Sequence, residues 1–123
     1  MSDLQIDTMI PVRLVSINDL ARLASSTSAL GHVTYVVHFT ANSRHYYGIF
    51  IVFRDYYKLY GLPMFYYIET EKELPGHYIL FRSDENGETI EIAKGTKPGY
   101  ITLPIVNVHL DSPLIKKMIP QLS

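Results

Sequence analysis

The chain has 123 residues, 47% hydrophobic and 19% charged, which suits one globular domain over 1–123 and excludes a disordered polymer. Its net charge of −1 lacks the basic excess with which duplex-DNA binders neutralise phosphates. Without cysteine, disulfides, thiol catalysis and cysteine-ligated zinc are excluded.

Residues 1–11 show no basic start followed by a long apolar core, so no secretory signal is read there. No apolar run nears the roughly 20 residues that span a bilayer. The sequence therefore reads as cytoplasmic, with no membrane partner. An arm or short strand is expected around Val12 to Val15. The best helix signal runs from Ser16 to Ser28. Ser16 caps it, Asp19 takes the capping-box position, and Ile17, Leu20, Ala21, Leu23 and Ala24 make the apolar stripe. The run Ser25-Ser26-Thr27-Ser28 should fray its end, because these side chains compete for backbone hydrogen bonds.

His32 to Thr40 alternates as a strand, and Ala41-Asn42-Ser43 is turn-like. The run Tyr46 to Tyr57 follows. It is apolar on both faces, which marks a central strand covered on both sides. Met64 to Thr70, His77 to Arg82 and Thr89 to Ala93 are the next strands, with Asn86-Gly87 expected to form a type I′ turn. Tyr100 to His109 is the sixth. Pro104 within it cannot donate a ladder hydrogen bond, so an edge position or a bulge is expected. Ser112-Pro113 opens a short helix to Met118. The fold class is α+β: a six-stranded antiparallel, curled meander sheet with one N-terminal helix and a short C-terminal helix.

Local composition is uneven. From Gly31 to Ile68 the charges are Arg44, Arg54 and Lys58 against Asp55; from Glu69 to Glu91, seven acids face Lys72 and Arg82. The basic part is also rich in tyrosine. Aromatics on a sheet surface stack bases while Arg and Lys hold the phosphates of a single strand. The candidate binding residues are Arg44, Tyr46, Arg54, Tyr56, Lys58, Tyr60 and Tyr66. Tyrosine and arginine equally favour protein interfaces, and half-buried sheet tyrosines need no ligand at all. The expected function is a small non-enzymatic binding domain for single-stranded nucleic acid. The alternative is a homo-oligomer or adaptor that uses the same tyrosines against a second copy or another protein.

No cofactor, metal or catalytic residue is read from the sequence. The five histidines show no i, i+4 pair. His32 and His38 share a strand face but stand roughly 20 Å apart, so only an assembly across strands could bind a metal. Asp55 and Glu69-Thr70-Glu71-Lys72 lack the spacing of a metal-dependent nuclease. Gly95 to Gly99 lacks the spacing of a phosphate loop.

Overall fold

The computed structural model describes residues 10–29, 33–52 and 64–108. In chain order the elements are β1 (Ile10–Arg13), α1 (Ile17–Ala29), β2 (Val33–Ala41), β3 (Arg44–Val52), β4 (Met64–Thr70), β5 (Tyr78–Asp84), β6 (Gly87–Ala93) and β7 (Ile101–Asn107). The strands form one curled half-barrel sheet in the order β1-β4-β3-β2-β7-β5-β6.

This corrects the expected sheet. Seven strands pair among the described residues, and the sheet is mixed: β1 runs parallel to β4, and β2 runs parallel to β7. A meander keeps chain neighbours adjacent, but here β7 enters between β2 and β5. The expected helix from Ser112 to Met118 lies outside the described residues.

Pro104 explains how β7 can lie inside the sheet. Its first half, Ile101 to Pro104, pairs with β5; its second half, Ile105 to Asn107, pairs with β2. Each half therefore has one partner, and the residue without an N–H stands where β7 changes sides. The proline needs no edge strand, only this handover.

Local signals elsewhere hold. Ser16 Oγ accepts from the Asp19 amide at 3.3 Å, and the Ser16 carbonyl accepts from the Leu20 amide at 3.2 Å. The helix does not fray at Ser25. It continues to Ala29, with Ser26 and Thr27 bonding back to the carbonyls of Arg22 and Ala24. Thr27 also meets Thr34 of β2 at 3.1 Å, which ties that last turn to the sheet. Asn42 and Ser43 both take positive φ, 54° and 64°, as a type I′ turn requires. In the β5–β6 hairpin Asp84 pairs with Gly87, so the turn is Glu85-Asn86. Gly87 alone is left-handed there (φ 126°), which replaces the expected type I′ turn at Asn86-Gly87.

Across β4, β3 and β2 both sheet faces are buried. On one, Leu20, Ala21 and Ala24 of α1 pack on Val36, Ile49, Ile68, Ile79, Phe81 and Leu103. On the other, Val37, Phe39, Tyr46, Phe50, Phe65 and Tyr67 make an aromatic layer. Phe39 stacks on Tyr46 at 5.2 Å, and Tyr46 meets Tyr67 at 5.9 Å. Such pairs contribute about 0.5–1.5 kcal/mol beyond area burial. Strand β3 supplies both faces and sits between β2 and β4, as its two-sided apolar pattern implies.

Candidate functional site

The residues selected from composition do not converge among the described residues. Tyr46 is 3% exposed and belongs to the aromatic layer. It is packed against Phe39 and Tyr67 and presents no ring face for a base to stack on. Tyr66 is half-buried and packs toward the helix-covered face. Arg44 forms an ion pair with Glu69 and a longer one, 3.9 Å, with Glu71. Arg13 reaches the same Glu69 at 3.7 Å. Arg44 thus neutralises acids of β4 and its following loop rather than standing open to phosphate. Arg54, Tyr56, Lys58 and Tyr60 lie outside the described residues.

A different constellation is built on the helix-side face, beyond the end that α1 covers. It begins with register. In the β2–β3 hairpin His38 pairs with Tyr47, and in the parallel β2–β7 pair His38 faces Asn107. His45 is two residues from Tyr47 and so shares its face. Side chains of three adjacent strands therefore meet. His38 Nδ1 lies 2.6 Å from Asn107 Oδ1, and His38 Nε2 lies 2.9 Å from His45 Nδ1. The His38 ring stacks on Tyr47 with centroids 4.5 Å apart.

Hydrogen-bond roles follow from the donor inventory. A carbonyl oxygen only accepts, so His38 carries its proton on Nδ1 and gives it to Asn107. In the neutral ring Nε2 then accepts, and His45 donates from its own Nδ1. The chain His45 to His38 to Asn107 thereby fixes both tautomers.

The β4–β5 loop, residues 71–77, roofs this row. Tyr47 Oη accepts the Leu74 amide at 2.8 Å. Burial raises the Tyr47 phenol above its ordinary value, and the Leu74 N–H, which favours the anion, opposes this. At the loop's far end the His77 amide donates to Ala93 at 2.9 Å, and the His77 carbonyl accepts from Ile105 at 2.8 Å. Gly76 lies so close to β6 that a Cβ there would come within 2.5 Å of the Ala93 carbonyl oxygen. Only glycine permits that approach.

Between roof and sheet is a cavity of about 330 Å³, with His38, Tyr47 and Asn107 on its floor and Glu73, His77 and Lys94 on its walls. A neighbouring hollow of about 210 Å³ shares His38, Glu73 and Asn107. Among the described residues no ion pair engages Lys94, His77 or Glu73, and no group of three or more His, Cys, Asp or Glu could hold a metal ion. None of the cleft residues was among the sequence candidates. The His38–His45 proximity had a readable signal: once Asn42-Ser43 is the turn, His45 falls diagonal to His38. Asn107, His77 and Lys94 had none, because only the order of strands brings them there.

Compared with protein-family models, curated proteins and solved structures, the chain matches none. Among the described residues no helix is long and apolar enough to cross a membrane.

Proposed function

We propose that the protein is a small non-enzymatic binding domain whose ligand is a small anionic molecule seated in the cleft beneath the β4–β5 loop. The observation that carries this reading is that the cleft is already formed: Tyr47, Ala93 and Ile105 hold the loop by hydrogen bonds from three strands. A site built before its ligand arrives avoids the ordering cost of building it. The cavity, about 330 Å³, falls at the small end of the roughly 300–1,000 Å³ usual for small-molecule sites. Lys94, His77 and the amide nitrogen of Asn107 offer donors, and Glu73 offers an acceptor. A binding role suits the floor as well. Both ring nitrogens of His38 are committed to neighbours, and Tyr47 spends its oxygen on the loop.

A single nucleic-acid strand is the second reading. It rests on the run Arg54-Asp55-Tyr56-Tyr57-Lys58-Leu59-Tyr60, which keeps the composition of a stacking surface. Self-association gains less support. Val15, Ile101 and Val106 are the exposed large apolar side chains among the described residues; Val15 precedes α1, and Ile101 and Val106 stand five residues apart on β7.

The test is amide chemical-shift mapping on the full chain with inorganic phosphate, a dicarboxylate, a mononucleotide and an oligothymidylate. We expect one of the small anions to shift the amides of Glu73 to His77, Lys94 and Asn107. The double variant H77A/K94A should weaken that ligand at least about tenfold, as loss of charge-assisted contacts implies. Shifts confined to 54–60 with the oligonucleotide would transfer recognition to the second reading. A panel without effect on the cleft amides would reject the first.

A further inference from the structure

The cleft under the β4–β5 loop carries both signs of charge, and it keeps them apart. We propose that its ligand is an amino acid, with the carboxylate seated at Lys94 and His77 and the ammonium group at Glu73. The inference rests on the anion reading, of which the carboxylate is the anionic part, and adds a cationic group on the same molecule.

The contrast with two other hollows comes first. There the opposite charges meet. Arg22 and Glu88 line one hollow and pair at 2.7 Å. Arg13 and Glu69 line another and pair at 3.7 Å. Glu73 and Lys94 line the cavity of about 330 Å³ together, yet neither has an ion pair among the described residues.

The anchors of the roof explain the gap. Glu73 precedes Leu74, whose amide is held by Tyr47 Oη at 2.8 Å. Lys94 follows Ala93, whose carbonyl holds the His77 amide at 2.9 Å. The two charged residues therefore leave the backbone beside different anchors, one toward each end of the loop. Opposite charges that line one cavity without neutralising each other are complementary to a molecule that carries both.

Glu73 decides against a wholly anionic ligand. It also lines the neighbouring hollow of about 210 Å³, where no lysine or arginine accompanies it. Its charge reaches the floor as well. Burial is the main cause that raises the Tyr47 phenol, the Leu74 N–H opposes it, and Glu73 adds to the rise. A second carboxylate or a phosphate oxygen placed beside Glu73 would face a like charge, whereas an ammonium group finds its counter-ion. The site thus discriminates by repelling the wrong class. Toward Lys94 the donors are its Nζ, the His77 ring and the amide nitrogen of Asn107, whose oxygen is already committed to His38. A carboxylate can accept from several such donors at once. Glu73 and Lys94 are exposed side chains, so each contact is weaker than its buried equivalent.

The experiment uses probes paired so that they differ by the amino group: L-glutamate with glutarate, and L-alanine with propionate. Each is titrated into the full chain and followed by amide shifts. We expect an amino acid to move the amides of Leu74, His77, Lys94 and Asn107, and to bind about three- to tenfold more tightly than its partner acid. E73Q should abolish that preference. K94Q should weaken both members of the pair alike. E85Q, the same charge change on the β5–β6 turn, should leave the preference as in the parent chain. Partner acids that bind the cleft as tightly as the amino acids, or a preference that survives E73Q, would overturn the proposal and leave the anion reading standing. So would phosphate shifts in the cleft with no response to either amino acid. A cleft that answers to no anion and no amino acid would remove both.

Discussion

Two glycines show how single residues set the fold and the cleft by what they omit. A Cβ at Gly48 would fall 2.0 Å from Phe65 Cζ, and Phe65 is fully buried, so its ring has nowhere to swing. A Cβ at Gly76 would meet the Ala93 backbone at 2.5–2.8 Å, and a paired strand yields less than a ring does. Gly95 is the contrast, with nothing within 4 Å of its added carbon. G48A and G76A should each cost about 1–3 kcal/mol, as overpacking does, while G95A should stay within about 0.5 kcal/mol. The two costs differ in kind. Adding F65L to G48A should recover part of the loss, since leucine vacates the ring's space. No neighbouring side-chain change should rescue G76A. There the loop must lift, and the amides of Leu74 and His77 should exchange hydrogen faster. Urea unfolding with amide exchange reads both effects; equal stability of G76A and G95A would contradict the close approach at Gly76.

At the scale of elements, legibility followed the range of the signal. The helix start was readable because Ser16, Asp19 and the apolar stripe lie within one or two turns. The turn at Asn42-Ser43 and the two-faced burial of β3 were readable for the same reason. The helix end was misjudged because Thr27 finds a partner in Thr34, which only tertiary packing supplies. Strand order was hidden entirely. Nothing in residues 101–107 announces that β7 enters beside β2, and the composition around Arg44 and Tyr46 could not distinguish a stacking surface from a packed aromatic layer. Pro104 was read as a sign of an edge strand or a bulge because it cannot donate to a ladder, but a handover between partners satisfies that rule inside the sheet as well. A sharp contrast follows within three residues. P104A should shift stability by no more than about 0.5 kcal/mol, because the ring is exposed and no donated bond is gained or lost. I105P should cost about 1–3 kcal/mol or more, since it removes the donor to the His77 carbonyl (2.8 Å) and leaves that acceptor unpaired. Chemical denaturation midpoints compare the two directly, and the reverse order would place β7 wrongly in the sheet.

Several phenols among the described residues are packed away from water, and this should govern the molecule's behaviour in alkali. Burial is the first cause that raises Tyr35, Tyr46, Tyr47 and Tyr67 above the ordinary phenol value. Glu69 raises Tyr46 further, while Arg44 and Arg13 pull it back. A group that holds its proton more tightly when folded adds stability that is complete below its unfolded value, about 10 for tyrosine. That stability drains away as pH rises through the folded values. Since these rings occur on both sheet faces, their ionisation and the loss of the sheet should be one event. A phenol in water ionises near pH 10. The buried set should ionise above that, in a step that coincides with the loss of the far-ultraviolet strand signal. Phenolate absorbance recorded beside circular dichroism shows whether the two coincide. A single step near pH 10 with the strand signal intact would mean that water reaches these rings in the folded state. The aromatic layer would then be open enough to offer Tyr46 as a stacking surface after all.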